Sequence, residues 1–131
     1  MSFNNFINLI RYKSYLKNLI IFLPLFLNYT SWSVANFSNL ILPVIFFSFL
    51  ASSIYIINDL IDLETDKKHR LKKFRPLATG LVKLKTAIYI SLILAIVSLL
   101  FFFIYYDTKV FILAISYFTI NLFYSLSIKK I

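Results

Sequence analysis

Residues 57–76 run INDLIDLETDKKHRLKKFRP, and they separate a long apolar segment from a strongly basic one. Four of the five acidic residues lie here: Asp59, Asp62, Glu64 and Asp66. Lys67, Lys68, Arg70, Lys72, Lys73 and Arg75 follow at once. Upstream, residues 40–57 carry no charge. Such a junction is what a membrane-spanning helix looks like where it meets water, because charges cannot remain in hydrocarbon without compensation.

The rest of the chain agrees. Of 131 residues, 60% are hydrophobic, and mean hydropathy is +0.83, well above an ordinary soluble domain. Without cysteine there is neither a disulfide nor a thiolate metal site. The net charge of +9 invites nucleic acid as a partner. We read it otherwise, since basic clusters beside apolar segments orient membrane proteins and meet anionic head groups and phosphates. The 15 Phe and 9 Tyr suit lipid-facing and interfacial surface.

Four apolar segments predict an all-α membrane protein with four transmembrane helices, at about 16–34, 40–66, 87–106 and 110–128. A long loop, 67–86, joins the middle pair, and residues 1–131 form a single membrane domain. Each segment approaches the roughly 20 residues a spanning helix needs. The first has a rival reading as a signal peptide, with Arg11, Lys13 and Lys17 ahead of an apolar core. Pro24 inside that core and the polar run Asn28–Ser31 favour a membrane helix. Basic residues precede the first segment, fill the 67–86 loop and end the chain at Lys129 and Lys130. The two other links carry only Asp107 and Lys109. Basic residues favour the cytoplasmic side, so both ends and the long loop are expected there.

If the second helix continues to Asp66, then at about 100° per residue Asn58, Asp62, Asp66 and Asp59 fall at roughly 0°, 40°, 80° and 100°. They share one stripe, with Glu64 pointing away. Carboxylates crowded at a membrane edge repel one another, and a divalent cation would relieve them. Hard oxygen ligands suit Mg²⁺, which binds through one or two carboxylates and substrate phosphates. The basic run would then neutralise the phosphates, Arg75 as a planar fork and Lys72 as a mobile point charge. A plainer account makes the same residues i,i+4 pairs, such as Asp62–Lys67 and Asp66–Arg70, beside a positive-inside loop. His69 reads as a solvated loop residue rather than a ligand, there being no second His.

The spacing Asn58-Asp59-x-x-Asp62-x-x-x-Asp66 resembles the first aspartate-rich motif of the UbiA superfamily of membrane prenyltransferases. His69, Lys72, Arg75-Pro76, Ala78 and Gly80 resemble the H-P-x-K-x-x-R-P-x-A-x-G run of its decaprenyl-phosphate phosphoribosyltransferase branch. Arg11, Lys13, Lys17 and Asn18 resemble that branch's opening R-P-K-Q-W-x-K-N. Tyr124-Ser125-Leu126 and Lys129 resemble the stretch leading into a second aspartate motif. Arg70 stands where the branch has Pro, and Tyr12, Ser14 and Tyr15 replace its Pro, Gln and Trp.

The resemblance implies half of a UbiA-type helical bundle, an N-terminal half ending before the second motif. It implies a Mg²⁺-dependent transferase in the plasma (inner) membrane with its site on the cytoplasmic face. Asn58, Asp59, Asp62 and Asp66 would form the metal edge, and Lys72, Arg75 and Lys17 the diphosphate contacts. No catalytic residue is assigned. The partners would be a polyprenyl lipid substrate, a diphosphate donor, membrane lipids, and a second chain or a lost C-terminal half; nucleic acid is not among them. Three readings stay open: phosphoribosyl transfer to a polyprenyl phosphate, prenyl transfer to a lipid-soluble acceptor, and a non-catalytic remnant.

Overall fold

The structure, a computed structural model, describes residues 2–15 and 34–127. Among them every regular element is helical. A short helix α1 (Phe3–Leu9) is capped by Ser2, whose hydroxyl accepts from the Asn5 N–H, and leads into a 3-10 turn at Tyr12–Ser14. Three long helices follow: α2 (Val34–Ile61), α4 (Leu84–Tyr105) and α5 (Thr108–Leu126). Between α2 and α4 lie the short α3 (Leu63–Lys68) and a 3-10 turn at Lys72–Phe74.

Asn39–Ile61, α4 and α5 are each long and apolar enough to cross a membrane, with mean hydropathies of 2.4, 2.8 and 1.5. The expected first span, 16–34, lies outside the described residues except for Val34, as do Lys17, Asn18, Lys129 and Lys130.

The second helix is not one rod from 40 to 66. It begins at Val34 and breaks at Asp62, which sits at φ −85°, ψ 3°, in the bridge region. Backbone bonds from Asp62 N–H to Asn58 O and from Asp66 N–H to Asp62 O still join the two pieces. The helical ladder stays nearly complete across the break. Pro43 lies inside α2, where it removes one backbone donor.

α2 packs most extensively on α4 and less on α5, and α4 and α5 pack together. The α4 residues Ala87, Ser91, Ala95 and Ser98 form a buried stripe at helical spacing. Small residues let helix backbones approach closely where lipid gives no hydrophobic drive to association. The Ser98 and Ser91 hydroxyls donate back to the Leu94 and Ile88 carbonyls at 2.6 and 2.9 Å, so neither is left unpaired in an apolar setting.

Two apolar clusters divide the bundle. At one end Leu9, Ile10, Ile56, Leu77, Val82 and Ala87 are buried together. Toward the other, Leu50, Phe101, Phe102 and Ala114 are. The first cluster ties the N-terminal segment and the loop to the helix ends, and thereby positions the charged residues between them.

Candidate functional site

The charged site forms where α2 gives way to α3. Asp59 and Asp66 are seven residues apart, close to two full helical turns, and therefore face the same way. Both are buried, at 4% and 2% exposure. A buried carboxylate persists only if paired, and both meet Arg75. Its Nη1 donates to Asp59 Oδ1 at 2.8 Å and to Asp66 Oδ2 at 2.5 Å.

Arg75 is aimed by its neighbours. It precedes Pro76 and is extended, at φ −64°, ψ 146°, as a pre-proline residue prefers. Beyond it the chain reverses at Gly80, whose φ of 77° favours glycine. Val82 N–H donates to Pro76 O and Gly80 N–H to Leu77 O. That turn returns Leu77 and Val82 to the core and holds Arg75 at the mouth of the acidic pair.

Lys72 Nζ stands 3.8 Å from Asp66 Oδ1. That oxygen is buried and has no hydrogen-bond partner. A buried acceptor without a partner costs roughly 1–3 kcal/mol, more when charged, so a donor or cation placed there would be favoured.

Arg11 completes the cluster. Its guanidinium pairs with Asp59 and lies over the Tyr55 ring, 5.1 Å from the centroid. Arg11 has φ 53°, ψ 49°, the left-handed region, which costs a non-glycine residue about 1–2 kcal/mol. Surrounding contacts support it. Leu9 and Ile10 are buried, and the Ser52 hydroxyl donates to the Ile10 carbonyl at 2.6 Å and lies 3.0 Å from the Tyr15 hydroxyl.

The sequence-predicted site residues are partly assembled. Asp59, Asp66, Lys72 and Arg75 converge. Asn58 Oδ1 lies 3.4 Å from the Ser125 hydroxyl, which brings the end of α5 beside the motif. Asp62 sits at the helix break, partly exposed. Lys17 lies outside the described residues. The expected Asp66–Arg70 pair is replaced by Asp66 with Arg75 and Lys72, because Asp66 faces inward and Arg70 is exposed. Lys67 pairs with Glu64 at 2.7 Å, and this hydrogen bond holds the Glu64 carboxyl below the usual carboxylate range. Exposed His69 uses Nδ1 to accept the Leu71 and Lys72 N–H groups at 3.1 and 3.3 Å, organising the turn that carries Lys72. Arg11 is the residue that site reasoning on the sequence missed. Its only signal there was its place in the opening basic motif.

Among the described residues, no group of three or more His, Cys, Asp or Glu side chains is placed to hold a metal ion. Two buried carboxylates converge, and Asp66 Oδ1 is a hard oxygen without a hydrogen-bond partner, its nearest cation Lys72 at 3.8 Å. This donor set still fits Mg²⁺ arriving with a phosphate ligand, since that ion needs only one or two carboxylates. Arg11, Arg75 and Lys72 are matched in number by Asp59, Asp66 and the Asp62 between them, so the cluster is close to neutral.

The model of the UbiA prenyltransferase family matches residues 19–131. An uncharacterized protein, y4nM, of Sinorhizobium fredii is 40% identical over 75 residues, covering 54% of this chain and 14% of its own. The decaprenyl-phosphate phosphoribosyltransferase of Mycobacterium tuberculosis is 37% identical over 62 residues, covering 47% of this chain and 20% of its own. That of Mycolicibacterium smegmatis is 47% identical over 53 residues, 40% of this chain and 17% of its own. The chain thus matches a fifth or less of the length of these relatives. No solved structure matches.

Proposed function

The chain belongs to the UbiA prenyltransferase family, and from that premise we propose that its acidic–basic junction binds the diphosphate of a transfer donor. With three helices able to span a bilayer, it is an integral membrane protein. The observation that carries the proposal is the Asp59–Arg75–Asp66 clamp, with an unpartnered carboxylate oxygen facing Lys72.

In this reading the clamp opens on binding. Arg75 transfers its fork from the two carboxylates to phosphate oxygens, for which its geometry is suited. Asp59 and Asp66, with Asn58 and Asp62 at the edge, would hold Mg²⁺. The ion, when bound, supplies charge neutralisation of the leaving diphosphate. Lys72 turns from Asp66 to the same phosphates, and Lys17 adds a further contact. The buried site strengthens each interaction by excluding water. A phosphate nucleophile needs no general base, and none is assigned.

The relatives' names support a phosphoribosyl donor with a polyprenyl phosphate acceptor, at the cytoplasmic face of the plasma membrane. The family's description supports the second reading, transfer of a prenyl group. In either case a second acidic edge, from a further segment or a partner chain, would face this one.

Calorimetry on the chain in nanodiscs tests the site. Inorganic diphosphate with Mg²⁺ should bind, weakening more than tenfold in Asp66→Asn and Asp59→Asn and unchanged in Glu64→Gln. Equal losses in all three, or no binding by the parent chain, would refute the site. Displacement by phosphoribosyl diphosphate rather than a prenyl diphosphate selects the first donor.

A further inference from the structure

The 3-10 turn that presents Lys72 to the site has a second side. By contact and exposure, residues 70–75 sort into three sets. Lys72 and Arg75 point inward to Asp66 and Asp59. Leu71 and Phe74 form an apolar set, 74% and 70% exposed. Arg70 and Lys73 form a basic set, both exposed. Lys73 Nζ sits over the Phe74 ring, 5.2 Å from its centroid. His69 Nδ1 pins the turn through two backbone N–H groups.

Single exposed apolar residues are common on soluble surfaces. Here two stand three residues apart, flanked by cations, on a loop between helices long and apolar enough to cross a membrane. Water rewards the cations and not Phe74 or Leu71. A surface combining negative head groups with accessible acyl chains rewards both. The neighbouring Lys67, Lys68, Lys83 and Lys85 are also exposed and extend the positive field.

We propose that this turn is an anchor for anionic lipid head groups, with Leu71 and Phe74 entering the interface and Arg70 and Lys73 contacting lipid phosphates. The proposal does not depend on the transfer chemistry. Its consequence for the site is mechanical: a lipid-held turn fixes the backbone from which Lys72 and Arg75 extend, so anionic lipid would order the clamp.

The test uses Phe74→Trp with the single Trp removed by Trp32→Phe, in phosphatidylcholine nanodiscs containing increasing phosphatidylglycerol. Indole emission should shift to the blue and become quenchable by brominated acyl chains as anionic lipid rises. Changing Arg70 and Lys73 to Gln should weaken that dependence roughly fivefold for each residue, from about 1 kcal/mol per cation near the surface. Free inorganic phosphate should leave the emission unmoved. Because Phe74 is exposed, its replacement leaves the core intact, and helicity by circular dichroism confirms this. Emission indifferent to lipid charge would overturn the anchor. So would a shift driven by free phosphate, by added oligonucleotide or acidic protein, or by protein concentration alone.

Discussion

At the Asp59 end of the bundle, two cations share one buried carboxylate and an N-terminal turn is bent into the left-handed region to supply one of them. At the other end, Phe46 lies flat on Phe101 at 3.8 Å between centroids, and Phe47 tilts onto Tyr117 at 4.8 Å. The forces at the two ends differ in direction and range. Charge-assisted bonds demand particular atoms at particular places and penalise any partner left alone. Ring contacts are tolerant of sliding and exchange. The same helix, α2, is thus held at one end by a specification and at the other by a fill, and function is expected where the specification lies.

The largest effect should come from unpairing the clamp. Arg75→Ala leaves Asp59 with Arg11 and Asp66 with only a distant Lys72, and removal of one partner of a buried pair costs about 3–5 kcal/mol. Denaturation in mixed detergent micelles should show that loss, while Arg75→Lys retains part of the stability and loses diphosphate binding. Next comes the aromatic end. Phe101→Ala opens a cavity beneath Phe46, but lipid already solvates apolar groups, so the loss should be about 2 kcal/mol, below the range for soluble cores. It should leave diphosphate affinity unchanged. If Phe101→Ala lowers affinity as much as Arg75→Ala does, the division between the ends is wrong.

A smaller effect isolates the N-terminal turn. Ser52→Ala removes the hydrogen bond to the Ile10 carbonyl, worth about 1–2 kcal/mol, and should free residues 2–15, read as faster amide exchange there. Arg11→Asn keeps a residue that tolerates the left-handed conformation and removes the charge. It should weaken diphosphate binding several-fold with little change in that exchange. The smallest effect is expected from Glu64→Gln, with no measurable change in stability or binding.

The helices were legible because hydrocarbon imposes length and apolarity directly on the sequence, and α4 and α5 announce themselves by composition. The aspartate stripe was legible because two carboxylates seven residues apart must share a face. The helix break at Asp62 was not, since no Pro or Gly marks it in the sequence. The role of Arg11 was hidden because it reaches Asp59 across 48 residues of chain, and its left-handed backbone carries no mark in an Arg side chain. The small-residue stripe Ala87, Ser91, Ala95 and Ser98 was present in the sequence but lay among larger apolar residues, where packing alone distinguishes it.

The link between α4 and α5 is two residues, Tyr106 and Asp107, with the Asp107 carboxylate accepting from Val110 N–H at 3.1 Å. Its consequence belongs to biogenesis. A connection that short cannot let the helices enter the bilayer far apart in time or place. α4, at a mean hydropathy of 2.8, carries enough apolar surface to partition unaided, whereas α5, at 1.5, includes Thr119 and Asn121. Those two polar side chains bond back to the Ile115 and Tyr117 carbonyls at 2.8 Å, which lowers the cost of immersing them. The two helices are thereby tied as one hairpin, whose bend bears one carboxylate and one lysine, Asp107 and Lys109.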